Sequence, residues 1–188
     1  ALENGFTSLM YDGSRKPLSQ NIDETAAIAE MAHDAGISCE GEIGFVGYAN
    51  GDNSTGTDPE EAARFARDSG VDAMAISCGN VHLQEDKQGG LDVARIKAIE
   101  AVTELPLVIH GGSGVPVAQR AQLAAESRIC KFNIGTELRM AFGQALRAAV
   151  TADATRFDRV QILRETADPV KAAAMRVISA FGAPDLRT

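Results

Sequence analysis

Two histidines of this chain stand at the ends of apolar segments, where an imidazole could bind a metal ion. His82 follows the segment AISCGNV, and His110 ends the segment LPLVI. Neutral imidazole is a common metal ligand, and zinc sites that do chemistry combine such ligands with an open coordination position. A single histidine at the end of a strand is usually structural. Two histidines at equivalent positions of one sheet, however, predict a shared divalent ion.

Carboxylates occupy comparable positions in the sequence. Asp12 ends the first apolar segment, and Glu42 shares one face of the second predicted strand with Glu40, because strand side chains alternate with a period of two. A carboxylate inside an apolar strand is costly unless it is paired or bound to a cation. Like charges on one face also repel unless something positive lies between them. The pair therefore predicts a buried salt bridge, a solvated strand end or a bound cation.

Two glycine-containing loops could bind a phosphate group. Residues 111–114 read GGSG, and residues 133–136 read NIGT. Backbone N–H groups at a glycine turn or a helix start attract an anion, and the hydroxyl of Ser113 or Thr136 can add a hydrogen bond. Such turns are common individually. Their occurrence in the last two strand–helix units is what favours a phosphate site.

The elements that would position these residues alternate between strand and helix. The first helix is predicted to begin at an Asn21 cap and the second at an Asp58 cap, and the last helix is predicted at about 168–181. Five strands, each followed by a helix, indicate a parallel sheet covered by helices. A (β/α)₈ barrel places its active site at the carboxyl ends of such strands. The predicted strand segments are 6–14, 37–44, 71–80, 105–112 and 129–136.

The length of the chain leaves two architectures open. Eight strands need roughly 200–250 residues, whereas these 188 residues contain five predicted strands. The chain is expected to be either a smaller open α/β sheet or the C-terminal part of a barrel. In the second case, residues 1–188 form a single partial barrel domain that lacks its N-terminal strands.

The composition excludes several classes of function. A net charge of −8 disfavours binding to nucleic acid, whose phosphates select basic patches. No apolar segment approaches the roughly 18 residues that a membrane span needs. The three cysteines form no C-x-x-C pair, and two of them, Cys39 and Cys78, lie in apolar segments, which favours buried thiols in a reducing compartment. We therefore expect a cytoplasmic protein that binds neither nucleic acid nor membranes.

Five segments together resemble the class II ketose-bisphosphate aldolases, the fructose- and tagatose-bisphosphate aldolase family. The resemblance covers about residues 5–150, and LVIHGGSG and KFNIGTE are its most specific parts. It implies a (β/α)₈ TIM barrel, of which this chain supplies about strands 4–8 with their helices. The segments are GFTSLMYDGS, CEGEIG, TDPEEAARFARDSGVDAMAISCGNVH, GGLDVARIKAIEAVTELPLVIHGGSG and KFNIGTELRMAF.

The resemblance also implies roles for single residues. His82 and His110 match two of the three zinc-ligating histidines of the family. Asp12 and Glu42 match carboxylates that can hold the zinc (Zn²⁺) in an alternative position. The implied phosphate and substrate site, for the dihydroxyacetone phosphate half, consists of Gly111, Ser113, Asn133, Gly135 and Thr136.

The implied reaction is the reversible cleavage of a ketose (bis)phosphate into dihydroxyacetone phosphate and an aldehyde such as glyceraldehyde 3-phosphate. In the family, zinc or another divalent metal polarises the ketone and stabilises the enediolate that forms when a proton leaves carbon. A monovalent cation is a further implied ligand. Family members are usually homodimers or homotetramers, and the helix predicted at 137–152 and the last helix are candidate contact surfaces.

Three departures from the family pattern favour a different interpretation. The third zinc histidine and the adjacent catalytic aspartate form an Asp-His motif on an earlier strand, and this sequence has no Asp-His pair. Leu83 stands where the family usually has glycine, and Asn50 stands where a loop glutamate transfers protons. We therefore expect the 188-residue chain alone to be inactive. The alternative is a non-catalytic barrel subunit or sugar-phosphate-binding protein that supports a partner aldolase.

Overall fold

The computed structural model describes residues 2–49, 51, 53–83 and 90–182. The chain divides into two compact units, Ala1–Asn133 and Ile134–Thr188.

The first unit contains a five-stranded parallel sheet whose strands follow one another in chain order. This order confirms the predicted alternation of strand and helix. The strands are shorter than the predicted segments, because the polar and glycine residues at their carboxyl ends form loops. The elements are β1 Ser8–Tyr11, α1 Leu18–Asp34, β2 Ser38–Ile43, α2 Pro59–Asp68, β3 Ala73–Ile76, α3 Val93–Glu100, β4 Leu107–Ile109, α4 Val117–Glu126 and β5 Ile129–Phe132.

The two faces of the sheet have different chemistry. One face packs against the helices in an apolar core that includes Cys39, Ile43, Met74, Ile76, Leu107 and Ile109. By the alternation of strand side chains, the opposite face carries Glu40 and Glu42 of β2 and Val108 of β4. The residues with predicted chemistry are therefore on the face away from the helices.

That second face lies on the inside of a curved sheet. Lys131 Nζ of β5 is 2.5 Å from Glu40 Oε2 of β2. In a flat sheet these strands would be about 14 Å apart, three spacings of roughly 4.8 Å. Side chains standing perpendicular to a flat sheet could not bridge that gap. The sheet therefore curls around Glu40 and Lys131, as part of a barrel does, and the strand ends do not form a straight row.

The start of α1 differs from the prediction. The helix begins at Leu18, directly after Pro17, and Asn21 lies buried in its second turn instead of at the cap. Proline fixes its own φ and directs the chain into the helix four residues earlier than expected. The side-chain amide of Asn21 donates to the carbonyl of Glu42 at 2.9 Å and accepts from the hydroxyl of Thr25 at 3.0 Å. Asn21 thus anchors α1 to the candidate site.

The start of α2 agrees with the prediction. The Asp58 carboxylate accepts hydrogen bonds from the backbone N–H groups of Glu60 and Glu61 at 2.9 and 3.1 Å, and Pro59 is the first helical residue. This cap satisfies two of the N–H groups that have no partner within the helix.

The second unit consists of two packed helices, α5 (Thr136–Ala152) and α6 (Arg159–Ala180). The predicted end of α6 is confirmed to within one residue, but the predicted start was wrong, because the helix begins nine residues before 168, at a cap formed by Asp158. It continues through Pro169, and packing against α5 offsets the hydrogen bond that proline cannot make. Within the described ranges, no helix is both long and apolar enough to cross a membrane.

Asp72 connects α1 to β2 and is expected to make stability depend on pH. Its carboxylate accepts from the backbone N–H of Cys39 at 2.8 Å and lies 2.9 Å from Nε2 of His33. The hydrogen bond from Cys39 has the larger effect, and together with the one to His33 it lowers the pKa of Asp72. A lowered pKa adds stability above the unfolded value of about 3.9, and this stability is lost as the pH falls. Urea titrations should show Asp72→Asn less stable by about 1 kcal/mol at pH 7. The difference should shrink below pH 4, and a constant difference would contradict this account.

Candidate active site

His110 is the first residue after β4 and lies on the concave side of the sheet. Its position in the strand alternation places it with Val108, on the same face as Glu40 and Glu42. The residue is 7% exposed. Asn80 fixes the backbone at this point, because its buried amide donates to the carbonyls of His110 and Ile76 at 2.9 and 3.2 Å. The carboxyl ends of β3 and β4 are therefore held together.

The imidazole of His110 lies between two carboxylates. Its Nε2 is 3.0 Å from Glu40 Oε1, and its Nδ1 is 3.0 Å from Glu42 Oε2. Burial alone would lower the pKa of His110, but the hydrogen bonds to both carboxylates outweigh burial and raise the pKa to about 9. In this structure, the positive group that two like charges on one face require is the protonated imidazole.

His82 belongs to a loop that is tied to the end of β2. Its N–H donates to the carbonyl of Gly47 at 2.8 Å, and its own carbonyl accepts from Ala49 at 3.0 Å. The hydroxyl of Ser54 links the same two loops, accepting from Gly47 N and donating to the carbonyl of Asn80, each at 3.0 Å. These bonds position the imidazole of His82 above the ends of the strands.

The two histidines are at a distance that suits a shared ion. Their ring centroids are 6.0 Å apart. Two imidazoles bound to one tetrahedral zinc, with Zn–N distances of about 2.0–2.1 Å, would have their centroids roughly 5–6 Å apart. Imidazole nitrogens and a neighbouring carboxylate, Glu42, are a donor set that zinc accepts. The residues present therefore fit a divalent ion.

Binding of such an ion requires an exchange of partners. Both nitrogens of His110 are already paired with carboxylates, so one carboxylate and one proton must leave before the ring can bind a metal. Accordingly, in the part of the chain that the structure describes, no group of three or more His, Cys, Asp or Glu side chains is arranged to hold an ion. The described residues are therefore not in the arrangement that a metal-bound state requires.

Asp12 is not brought together with the histidines. The residue is exposed after β1, and its Oδ1 accepts from the backbone N–H and the hydroxyl of Ser14 at 3.0 and 2.6 Å. These contacts close a local turn. Of the two carboxylates predicted as alternative ligands, Glu42 alone contacts a histidine in this structure.

The predicted phosphate loops are partly joined. The backbone N–H of Gly112 donates to the carbonyl of Asn133 at 3.1 Å, and Asn133 N–H donates to Ile109 at 2.8 Å. Ser113 lies 3% exposed within the short 3₁₀ turn Gly112–Gly114. Ser113 and Asn133 are therefore held in neighbouring loops at the ends of β4 and β5.

Two further predicted phosphate residues belong to the second unit. Gly135 is the N-cap residue of α5, and Thr136 is its first helical residue. The carbonyl of Gly135 accepts from Arg139 N–H at 3.0 Å. The amino end of a helix of this length favours an anion.

Leu83, next to His82, adopts a backbone conformation that suits glycine. Its φ is +57°, and its side chain is half exposed. The left-handed region costs a residue with a Cβ roughly 1–2 kcal/mol. Leu83→Gly is therefore expected to raise the free energy of unfolding by up to about 1 kcal/mol, part of the gain being offset by backbone entropy. Thermal or urea unfolding measures this change, and a loss of stability would show that the Leu83 side chain has a packing role.

Two positioning features were not predicted from the sequence. Lys131 pairs with Glu40, and the ring of Tyr48 lies 5.0 Å from that of His82. Lys131 lies inside the apolar segment ICKF, and this position was a usable signal, because a charged side chain there needs a partner. Tyr48 gave no such signal. Asn50, the residue in place of the family's loop acid, lies outside the described residues.

This chain is similar to known proteins in both sequence and structure. The family model "Fructose-bisphosphate aldolase class-II" matches residues 1–185. A fructose-bisphosphate aldolase of Geobacillus stearothermophilus is 33% identical over 97% of this chain and 64% of its own length. A 6-phospho-5-dehydro-2-deoxy-D-gluconate aldolase of Shouchella clausii is 37% identical over 97% of this chain and 63% of its own length. The chain thus spans just under two thirds of these curated relatives.

Solved structures give the same result for the fold. The YdjI aldolase of Escherichia coli K12 superimposes with a TM-score of 0.75 at 31% identity, over 96% of this chain and 62% of that one. A fructose-bisphosphate aldolase of Campylobacter jejuni, at 20% identity, matches with a TM-score of 0.73 over 94% of this chain and 61% of that one, which supports the fold alone. The expected fold class, part of a (β/α)₈ barrel, is confirmed. Because the family model matches all but the last three residues, the chain belongs to the class II fructose-bisphosphate aldolase family.

Proposed function

We propose that the full-length protein is a divalent-metal-dependent aldolase. It reversibly cleaves a ketose (bis)phosphate into dihydroxyacetone phosphate and an aldehyde such as glyceraldehyde 3-phosphate. The observation that carries this proposal is the pair His82 and His110, with ring centroids 6.0 Å apart beside the buried Glu42. Family membership supports the same reaction class.

In this proposal, His82 and His110 hold the ion, and Glu42 is the carboxylate that exchanges between His110 and the ion. When bound, the ion polarises the ketone oxygen of the substrate and stabilises the negative charge that develops there. Zinc is a divalent ion that imidazole and carboxylate donors bind. A monovalent cation near the phosphate is part of the same proposal.

The phosphate of the substrate is proposed to bind where glycines expose the backbone. Gly111 and Ser113 offer backbone and a hydroxyl after β4. Asn133 offers its side-chain amide to the same half of the substrate, and Gly135 and Thr136 contribute the amino end of α5. Binding at Gly111, Ser113 and Asn133 orients the substrate so that its ketone oxygen faces the two histidines.

Proton transfer needs groups other than those described so far. Aldol cleavage removes a proton from a hydroxyl and delivers one to carbon, and both steps benefit from a positioned acid or base. We assign neither step to Asn50, because an amide has no titratable proton at neutral pH.

A second candidate function follows from two positions in the sequence. Asn50 and Leu83 replace residues that the family uses, and a barrel that binds sugar phosphate without catalysis would tolerate both changes. Such a subunit would support a partner aldolase and would have no need for one divalent ion per chain. Under either candidate, we propose a cytoplasmic homodimer or homotetramer whose small-molecule partner is a phosphorylated sugar.

One experiment separates the two candidates. The full-length protein is purified, its metal content is measured by plasma mass spectrometry, and release of dihydroxyacetone phosphate from ketose bisphosphates is followed by coupled NADH oxidation. The aldolase proposal predicts about one divalent ion per subunit, and activity that EDTA removes and zinc restores. Absence of both stoichiometric metal and turnover would favour the non-catalytic subunit.

A further inference from the structure

We propose that Glu40 and Lys131 are positioning residues, which hold the imidazole of His110 by Nε2 so that Nδ1 is the nitrogen offered to the metal. This inference rests on the proposed metal-dependent function. It goes beyond that function in assigning different tasks to the two buried glutamates, and in giving a role to a lysine of β5.

The first observation is that both oxygens of Glu40 are engaged by cationic groups. Oε1 lies 3.0 Å from His110 Nε2, and Oε2 lies 2.5 Å from Lys131 Nζ. The side chain of Glu40 is 8% exposed. Glu40 is therefore an acceptor that is held at both of its carboxylate oxygens.

Glu42 is held differently. In the described part of the chain, its carboxylate makes one side-chain contact, the 3.0 Å pair with His110 Nδ1, and the side chain is 4% exposed. It can release this nitrogen without breaking a second ion pair. The two nitrogens of His110 are thus inequivalent, because Nε2 faces an anchored carboxylate and Nδ1 faces one that is free to exchange.

A metal-binding histidine usually donates its second ring N–H to a carboxylate, which fixes the tautomer and the ring orientation. Glu40 already makes this contact at Nε2. Binding of an ion at Nδ1 therefore requires loss of the Nδ1 proton and movement of Glu42, while the bond between Glu40 and Nε2 stays. Binding at Nε2 would instead break the pairing of Glu40 with His110, and Glu40 would then be paired with Lys131 alone.

Lys131 gives Glu40 its fixed position. Without the ammonium group, Oε2 of Glu40 would be a buried carboxylate oxygen beside a metal site, and the carboxylate could rotate toward a dication. With the ammonium group in place, the carboxylate stays directed at His110. The curvature of the sheet makes this possible, because it brings β5 to β2 across the concave face.

The test uses the full-length protein and the metal ion itself as the probe. The variants are Lys131→Met, Lys131→Arg and Glu40→Gln, with Lys97→Met as a control at an exposed lysine of α3. Zinc affinity is measured by competition with a chelator. The visible absorption spectrum of the Co²⁺ form reports the coordination geometry, and unfolding of the metal-free protein reports stability.

We expect Lys131→Met to weaken zinc binding about 10- to 100-fold and to change the Co²⁺ spectrum. Lys131→Arg should restore most of the affinity. Glu40→Gln keeps an acceptor for Nε2 but turns its amide NH₂ group toward the Lys131 ammonium, so it should also weaken zinc binding. Lys97→Met should match the wild type. The methionine is close to lysine in length, and Lys131→Arg keeps the charge, so at least one variant reports on the folded protein.

Two results would overturn the inference, and they are distinguishable. If the wild type binds zinc and Lys131→Met binds it equally well with an unchanged Co²⁺ spectrum, the positioning role is wrong and the proposed function stands. If the wild type binds no divalent ion, the proposed function fails and the inference fails with it.

Discussion

Replacing His110 by alanine in the full-length protein is expected to remove the bound divalent ion and to reduce aldol cleavage at least about a thousandfold. The ion supplies several kcal/mol of charge stabilisation, and each 1.4 kcal/mol is worth about a factor of ten in rate. Without His110, this chain would supply only His82 and Glu42 to the ion, and a zinc site needs three protein ligands besides its open position. Metal content and steady-state kinetics measure the two effects together.

The same substitution also tests the buried charges. Without the imidazole, Glu40 and Glu42 face each other with Lys131 as the nearby cation, and breaking a buried pair typically costs about 3–5 kcal/mol. His33→Ala is the matched control, because His33 is an exposed histidine on α1. It should keep the metal and the activity. Unchanged zinc content in His110→Ala would count against the ligand role.

Replacing Gly111 by alanine is expected to lower the free energy of unfolding by about 2–4 kcal/mol. The same substitution is expected to weaken metal binding at least about a hundredfold. Two independent reasons combine here. Gly111 has a φ of +63°, and a Cβ at this position would lie 2.5 Å from the carbonyl oxygen of Val81 and 3.2 Å from the backbone nitrogen of His82. Backbone atoms cannot rotate away as side chains can. The loop that carries His82 must therefore move away from His110.

The control for Gly111→Ala is Gly36→Ala. Gly36 has a φ of +71° at the end of α1, and a Cβ there would meet no atom within 4 Å. The alanine at Gly36 has the same backbone cost without the collision, so it should lose about 1–2 kcal/mol of stability and keep its metal affinity. Chelator competition and urea unfolding of both variants provide the comparison. If Gly111→Ala lost no more metal affinity than Gly36→Ala, the contact with the His82 loop would not matter for the site.

Local sequence signals predicted most of the fold, because they act over a few residues. Asp58 followed by Pro59 marked the start of α2, and the structure shows the cap. Asn21 misled the prediction, because asparagine is a good cap residue, whereas here its amide binds the carbonyl of Glu42. The predicted start of α6 was too late. Proline usually stands in the first turn of a helix, whereas α6 continues through Pro169. In both cases tertiary contacts overrode a local preference.

The candidate site was predicted in part for a related reason. The spacing of Glu40 and Glu42 required a positive group between them, but the sequence could not identify that group as His110, because the contact joins residues 70 positions apart. Lys131 was missed because its contact with Glu40 depends on the curvature of the whole sheet. Pairing between neighbouring strands follows from chain order, whereas contacts across a curved sheet depend on how far it closes.

The most direct test of the shared metal ion is the anomalous diffraction of zinc in crystals of the full-length protein. If His82 and His110 share one ion, we expect one strong anomalous peak. It should lie about 2.0–2.1 Å from a ring nitrogen of His82 and the same distance from Nδ1 of His110. A peak bound elsewhere, or histidine rings turned away from a common point in the zinc-loaded crystal, would contradict it.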